Sequence, residues 1–243
     1  MKTAICLAGT GRQIDYTFDN LKEYLIQDIK NSDIIVYITK NDNSDKARLC
    51  FEKLENTYIH IVEETPIDIT PFKFQYKWPP NPAMNHALGR QIYLQMLKSR
   101  LHINYLIDHT EEITNKKYDR VIFSRMDVVY EKPVYDLIKD LELLSNLVWV
   151  PSFHNWGGSN DRFAVSNREG MEKYFSLYKH VEKYCQQGHM LHAESTLKHH
   201  LNNMEMDTRR FDIRFARYRH GEQHDDFNAI ATQGDFISPF REA

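Results

Sequence analysis

The sequence predicts an α/β fold in which helices flank a mostly parallel central sheet. Two observations lead there. Short apolar or β-branched runs alternate with stretches of helical period through the first half of the chain. The 243 residues, 42% of them hydrophobic, suit one domain with a sizeable core. Strands and helices in strict alternation imply right-handed crossovers and parallel pairing.

The elements follow in order. Thr3–Ala8 is a short apolar run closed by Gly9-Thr10-Gly11, which reads as a buried strand and a turn. Tyr16–Ile26 places Phe18, Leu21, Leu25 and Ile26 at the spacing of an amphipathic helix. Asp33–Thr39 is β-branched and bounded by polar residues, so it reads as a strand. A helix over Asp45–Leu54 and a strand over Tyr58–Glu63 continue the alternation. Residues 65–85 hold five of the eight prolines together with Phe72, Phe74, Tyr76 and Trp78, and proline denies that stretch regular structure. It reads equally as a substrate-side lid and as a loop tucked onto the core.

His86–Thr114 is a long helix with Leu88, Ile92, Met96, Leu101 and Tyr105 on one face and room for one break. Tyr118–Arg125, Val148–Phe153 and Arg162–Ser166 read as strands. Arg168–Tyr184 and Ala193–Met204 read as helices. The tail from Phe211 carries mixed signals and is left unassigned. The whole chain, 1–243, is taken as one domain, with 1–130 as a nucleotide-binding half and 131–243 as an acceptor-side half.

Composition excludes several classes. Cys6, Cys50 and Cys185 are odd in number and scattered, which argues against a disulfide framework and suits a reducing, cytoplasmic compartment. The first apolar run is too short for a signal peptide, and no stretch approaches the roughly 18 apolar residues of a membrane span. That leaves peripheral contact as the kind of membrane association open to the chain. The formal net charge of −3 and the lack of a basic stripe speak against nucleic acid as a partner.

Ligands of parallel α/β sheets bind at the carboxyl ends of the strands, so the residues just after each strand are the candidates. After the first strand come Gly9, Thr10, Gly11 and Arg12. The glycines permit close backbone approach and the guanidinium suits a phosphate, although a tight turn with a surface arginine explains the same letters. After the Tyr118–Arg125 strand comes Met126-Asp127. A carboxylate at that place suits Mg²⁺ or Mn²⁺ bridging to a diphosphate, with Arg125 orienting phosphate or pairing with Asp127. The densest cluster is His154-Asn155-Trp156-Gly157-Gly158-Ser159-Asn160-Asp161-Arg162. Trp156 offers a face for a sugar ring, and Asn160 and Asp161 suit sugar hydroxyls. Glu194 opens a helix, where it is either a dipole-favoured acid or a general base. His220, within Arg217-Tyr218-Arg219-His220, is a candidate second metal ligand beside a solvated basic turn.

Together these segments resemble glycosyltransferases of the GT-A fold, a Rossmann-like sheet. Arg125-Met126-Asp127 looks like a reduced form of that family's acidic metal motif, in which two aspartates flank one residue. Here Arg125 stands in the first place. Trp156–Ser159 looks like the family's glycine-rich loop near donor and acceptor, Glu194 like its helix-start base, and His220 like its C-terminal metal-binding histidine. Gly157–Ala164 also looks like a segment of small bacterial and viral sugar transferases. The resemblance implies a nucleotide-diphosphate sugar donor over Ala8, Gly9, Gly11 and Arg12, with Arg125, Asp127, Gly157, Gly158, Asn160 and Arg162 also on the donor. It implies Mn²⁺ or Mg²⁺ on Asp127 and His220, and a glycan or glycoconjugate hydroxyl as acceptor. Glu194 is favoured as base and Asp161 as sugar ligand, with the reverse open. Two rivals stand beside it. One is a sugar-phosphate nucleotidyltransferase, suggested by Leu7–Arg12 although no well-placed lysine follows. The other is a non-catalytic nucleotide or sugar binder.

Overall fold

The computed structural model describes residues 1–73, 86–219 and 222–224. Among the described residues, a seven-stranded sheet runs in the order β3-β2-β1-β4-β7-β6-β8, built from Thr3–Gly9 (β1), Ser32–Thr39 (β2), Thr57–Val62 (β3), Arg120–Arg125 (β4), Leu147–Pro151 (β6), Phe163–Ser166 (β7) and Asp207–Phe211 (β8). β1 pairs in parallel with β2 and β4, and β2 with β3. β7 is antiparallel to both neighbours, while β6 and β8 are parallel. The mostly parallel sheet is therefore as expected, with one reversed strand. A second sheet, β10-β9-β5, joins Val128–Tyr130 (β5), Phe215–Arg219 (β9) and Glu222–His224 (β10). The unassigned tail thus begins as sheet.

The central strands are apolar on both faces because both faces are covered. Ala4, Cys6 and Ala8 of β1 enter one buried cluster and Ile5 and Leu7 the other. One layer holds Ile14–Asn20 (α1), which widens into a π-helical turn over Leu21–Ile26, then Ser44–Phe51 (α2) and Val134–Ile138 (α4). The other holds His86–Thr114 (α3), Arg168–Phe175 (α5), Val181–Gln186 (α6) and Ala193–Asn203 (α7). All three cysteines are free thiols. Among the described residues no helix is long and apolar enough to cross a membrane.

Two helical expectations need correction. α3 is continuous over 29 residues, but its buried face is Leu94, Leu97, Leu101, Ile103 and Ile107. Leu88, Ile92 and Tyr105 stay 53%, 55% and 48% exposed. The helix carries apolar residues on more than one face, so period alone did not choose between them. The helix expected over Arg168–Tyr184 is broken by a 3₁₀ turn at Ser176–Lys179. Ser176 Oγ donates to the Lys173 carbonyl at 2.8 Å, a local bond that competes with the helical ladder.

The break brings α6 and α7 together around His200, which is fully buried. Its Nδ1 lies 2.9 Å from Tyr184 Oη, and its Nε2 lies 2.9 Å from the Lys173 carbonyl. Burial pushes its pKa down to about 4, against the pull of that carbonyl. The folded state therefore holds a neutral ring. Stability is fully present above the ordinary histidine pKa of about 6.5 and is lost as pH falls towards 4, by about 3 kcal/mol in all. Melting curves from pH 7 to pH 4.5 should show that slope, and His200→Gln should flatten it. A variant as acid-sensitive as wild type would assign the slope to other groups.

Candidate active site

The carboxyl ends of β1, β2 and β4 open onto a cleft of about 590 Å³. Its described walls include Ala8–Gln13, Thr39, Glu64, five residues of α3 from Gln91 to Ser99, Phe123, Arg125–Asp127 and Tyr218. The first glycine turn and the Asp127 corner, more than a hundred residues apart in sequence, therefore share one cavity.

Each wall has a local cause. Gly11 sits at φ +67°, and a Cβ there would lie 2.7 Å from the Cβ of Ala47 on α2. A Cβ on Gly9 would meet Met126 at 3.3 Å. The protein's own packing thus asks for glycine at position 11, in keeping with the tight-turn reading of these letters, whereas at Gly9 the methyl end of Met126 can give way. Arg12 is exposed on the cleft wall, its Nε donating to Thr10 Oγ1 at 3.0 Å. The 125–130 corner is fastened from α1: Thr17 Oγ1 donates to the Met126 carbonyl at 2.7 Å, and the Asn20 side chain bonds both backbone groups of Tyr130. Tyr218 N donates to the Asp127 carbonyl at 2.8 Å, and its ring stacks on Tyr16 at 4.7 Å.

Within that corner Arg125 grips Asp127 with both prongs of its fork. Nε donates to Oδ1 at 2.7 Å and Nη2 to Oδ2 at 2.6 Å. Among the described residues no three His, Cys, Asp or Glu side chains converge as a cation cage. With both Asp127 oxygens on a guanidinium, the donor set described here does not fit Mn²⁺ or Mg²⁺. His220, the other expected ligand, lies outside the described residues.

A second charged group adjoins the cleft. Arg100 Nη2, on α3, donates to Asp161 Oδ2 at 2.8 Å and to the Asp161 carbonyl at 2.6 Å. Arg162 Nη2 lies 3.7 Å and His192 Nδ1 3.5 Å from the Glu194 carboxylate. The Met96 sulfur is the hinge between the two groups. It faces Arg100 Nη2 at 3.5 Å and Arg125 Nη1 at 3.7 Å.

The two buried carboxylates are driven apart in acidity. Burial raises the Asp161 carboxyl, but Arg100 and then Arg162 outweigh it and hold it below the usual range. Burial, then the Asp161 charge, push Glu194 up to about 7 against the pull of Arg162. A pair so divided provides a permanent anion and a group able to exchange a proton near neutrality. Asp161, expected to be the sugar ligand or the alternative base, forms an ion pair with Arg100.

The glycine-rich loop also differs from expectation. Asn160 is fully buried, with its Nδ2 donating to the Phe153 carbonyl at 2.7 Å and its Oδ1 accepting from Arg162 N at 2.9 Å. Its amide closes the loop on itself. Gly158 packs against the start of α7, where a Cβ would fall 2.0 Å from the Glu194 carbonyl oxygen. Ser159 N donates to that same oxygen at 3.0 Å. Gly157, at φ +75°, faces open space. None of Gly157, Gly158, Asn160, Arg162 or Glu194 is among the described cleft-lining residues. His154 and Trp156 both hold left-handed backbone, at φ 51° and 45°, strain of the sort that gathers at functional loops.

Sequence reasoning missed Thr39, Glu64, Arg100 and Gln95, and reached Tyr218 only as part of the basic Arg217–His220 segment, whose charges suit contact with phosphates. Thr39 ends β2 and Glu64 lies just beyond β3, so the strand-end rule reaches them. Burial lifts the Glu64 carboxyl, against hydrogen bonds from Thr39 and Tyr37. Nothing local marks Arg100.

Residues 1–220 match the family model described as Domain of unknown function (DUF7796). No curated protein matches the chain. Among solved structures, an active-site mutant of LgtC aligns at a TM-score of 0.52 and 14% identity, over 85% of this chain and 72% of that one. A galactosyltransferase LgtC in complex with donor and acceptor sugar analogs aligns at 0.49 and 14% identity, over 83% and 70%. The glycosyltransferase GlyE of Streptococcus pneumoniae TIGR4 aligns at 0.48 and 13%, and this chain spans 45% of its length. The likeness to the LgtC mutant shows a GT-A-like fold.

Proposed function

The chain belongs to the family described as Domain of unknown function (DUF7796), and from that premise we propose that it is a glycosyltransferase acting on a nucleotide-diphosphate sugar. One observation carries the reading. The Gly9–Arg12 turn and the Arg125–Asp127 corner face the same cleft at the carboxyl edge of a GT-A-like sheet.

The diphosphate lies along Arg12 and Arg125, where fixed guanidiniums offset the charge gathered on the leaving group. The bond from the anomeric carbon to the phosphate oxygen breaks, and a bond to the acceptor hydroxyl oxygen forms. The acceptor is a glycan or glycoconjugate. Glu194 is the group whose acidity suits it to take the hydroxyl proton. Asp161 and Arg100 keep that end of the site electrostatically fixed.

Thermal melting with UDP and GDP tests the donor half of the proposal, because a ligand of the native state raises the melting temperature. One of them should do so, and Arg12→Ala should weaken it about tenfold. Release of that nucleoside diphosphate from its sugar conjugate, dependent on an added glycan, tests the transfer half. Pyrophosphate release from a nucleoside triphosphate and a sugar phosphate would instead establish the nucleotidyltransferase. Binding without any turnover would establish the non-catalytic binder.

A further inference from the structure

We propose that the Arg125 guanidinium, in place of a divalent cation, carries the positive charge opposite the ligand's phosphates, with Asp127 as its positioning residue. This rests on the glycosyltransferase reading and goes beyond it, because it makes diphosphate binding independent of metal.

The argument begins with the donor set. The strand-end acid motif of a metal-using site needs carboxylate oxygens that face the ion. Here the first position of the motif is itself a cation, and it holds both oxygens of the second in a two-pronged grip at 2.6 and 2.7 Å. An ion seated on Asp127 would face a fixed guanidinium at contact range, and like charges repel most strongly where water is thin. Arginine keeps its charge at any working pH and presents planar donors that match phosphate oxygens. Held by Nε and Nη2, the fork turns Nη1 towards Met96, a wall of the cleft.

Neighbouring charges agree. Behind Met96 the acid Asp161 is matched by Arg100, and Glu194 by Arg162. In the cleft itself the Glu64 carboxyl is lifted by burial, which reduces its opposition to an anion. Arg12 adds an exposed second guanidinium on the same wall. The corner that carries Arg125 is pinned by Thr17 and by Tyr218 N, so the fork is placed before any ligand arrives.

The test is calorimetric titration of the full chain with UDP and with GDP, in EDTA and again in Mn²⁺. The expected result is one dissociation constant in both buffers. Arg125→Ala should raise it at least about tenfold in both. Asp127→Asn, whose amide oxygen still accepts from the fork, should keep most of the affinity. Arg125→Asp should bind poorly in EDTA and recover with Mn²⁺. Melting each variant without ligand checks that it folds, and Arg125→Lys, which retains charge but not the fork, replaces any variant that does not. Wild-type binding that appears with Mn²⁺ and vanishes in EDTA would overturn this inference and leave the glycosyltransferase reading standing. Binding of neither nucleotide in either buffer would overturn that reading as well.

Discussion

Glu194→Gln is expected to lower turnover by about 10²- to 10⁴-fold, the usual worth of a positioned proton acceptor, while nucleoside-diphosphate affinity stays unchanged. The reason lies in the environment of the carboxyl. It is 5% exposed at the start of α7, and burial together with the Asp161 charge raises its pKa to about 7. A base must be unprotonated to act, so wild-type turnover should rise tenfold per pH unit below about 7 and level off above it. Any residual activity of the variant should lack that limb. Stability runs the other way. The folded carboxyl holds its proton more tightly than the unfolded one, so its contribution is full below about 4.5 and is lost as pH rises through 7. That loss is about 3 kcal/mol at most, and Glu194→Gln should therefore melt higher than wild type at pH 8 and no higher at pH 4. Wild-type turnover in the variant, or an unchanged pH profile, would reduce Glu194 to a structural acid.

Gly158→Ala is expected to lower the melting temperature by roughly 10 °C and to take activity down with it. The added Cβ would stand 2.0 Å from the Glu194 carbonyl oxygen, 2.1 Å from its carbon and 2.4 Å from Ser195 N. All three atoms are backbone, so no side chain can swing aside. Relief requires the loop and the start of α7 to part, which breaks the Ser159–Glu194 hydrogen bond and displaces the candidate base. Overpacking of this sort costs about 3 kcal/mol. Gly157→Ala is the control. Its Cβ would meet open space, so the substitution carries only the left-handed backbone penalty of about 1–2 kcal/mol. Equal effects at the two positions would show that the loop's backbone, and not its contact with α7, makes the glycines necessary.

Much of the architecture was legible because it rests on local pattern. β1, β2, β3 and β4 fall within two residues of where apolar and β-branched runs place them, and α3 ends at Thr114 as its period implies. The strand-end rule led to Arg12, Arg125 and Asp127, all of which line the cleft. Local pattern was silent elsewhere. The reversal of β7 is decided by its partners β4 and β6, and nothing within Phe163–Ser166 encodes it. The tail strand β9 exists because β5 offers it an edge.

The candidate site divides along the same line. Which residue types stand at the strand ends, and so what chemistry they permit, was determined by the sequence alone, since a side chain's charge and a strand's period are properties of short stretches. Which of those groups meet was decided by the tertiary structure. Asn160 and Gly158 read as ligand contacts because polar and glycine-rich letters look alike whether they serve a substrate or a fold. Their partners, the Phe153 carbonyl and the Glu194 backbone, come from the loop's own far side and from another helix. Arg125 and Asp127 read as a metal motif from their letters, and the two-pronged grip of one on the other is visible only in the packed structure. Periodicity is a short-range property, whereas the pairing of a charge depends on whatever distant segment the packed core brings beside it.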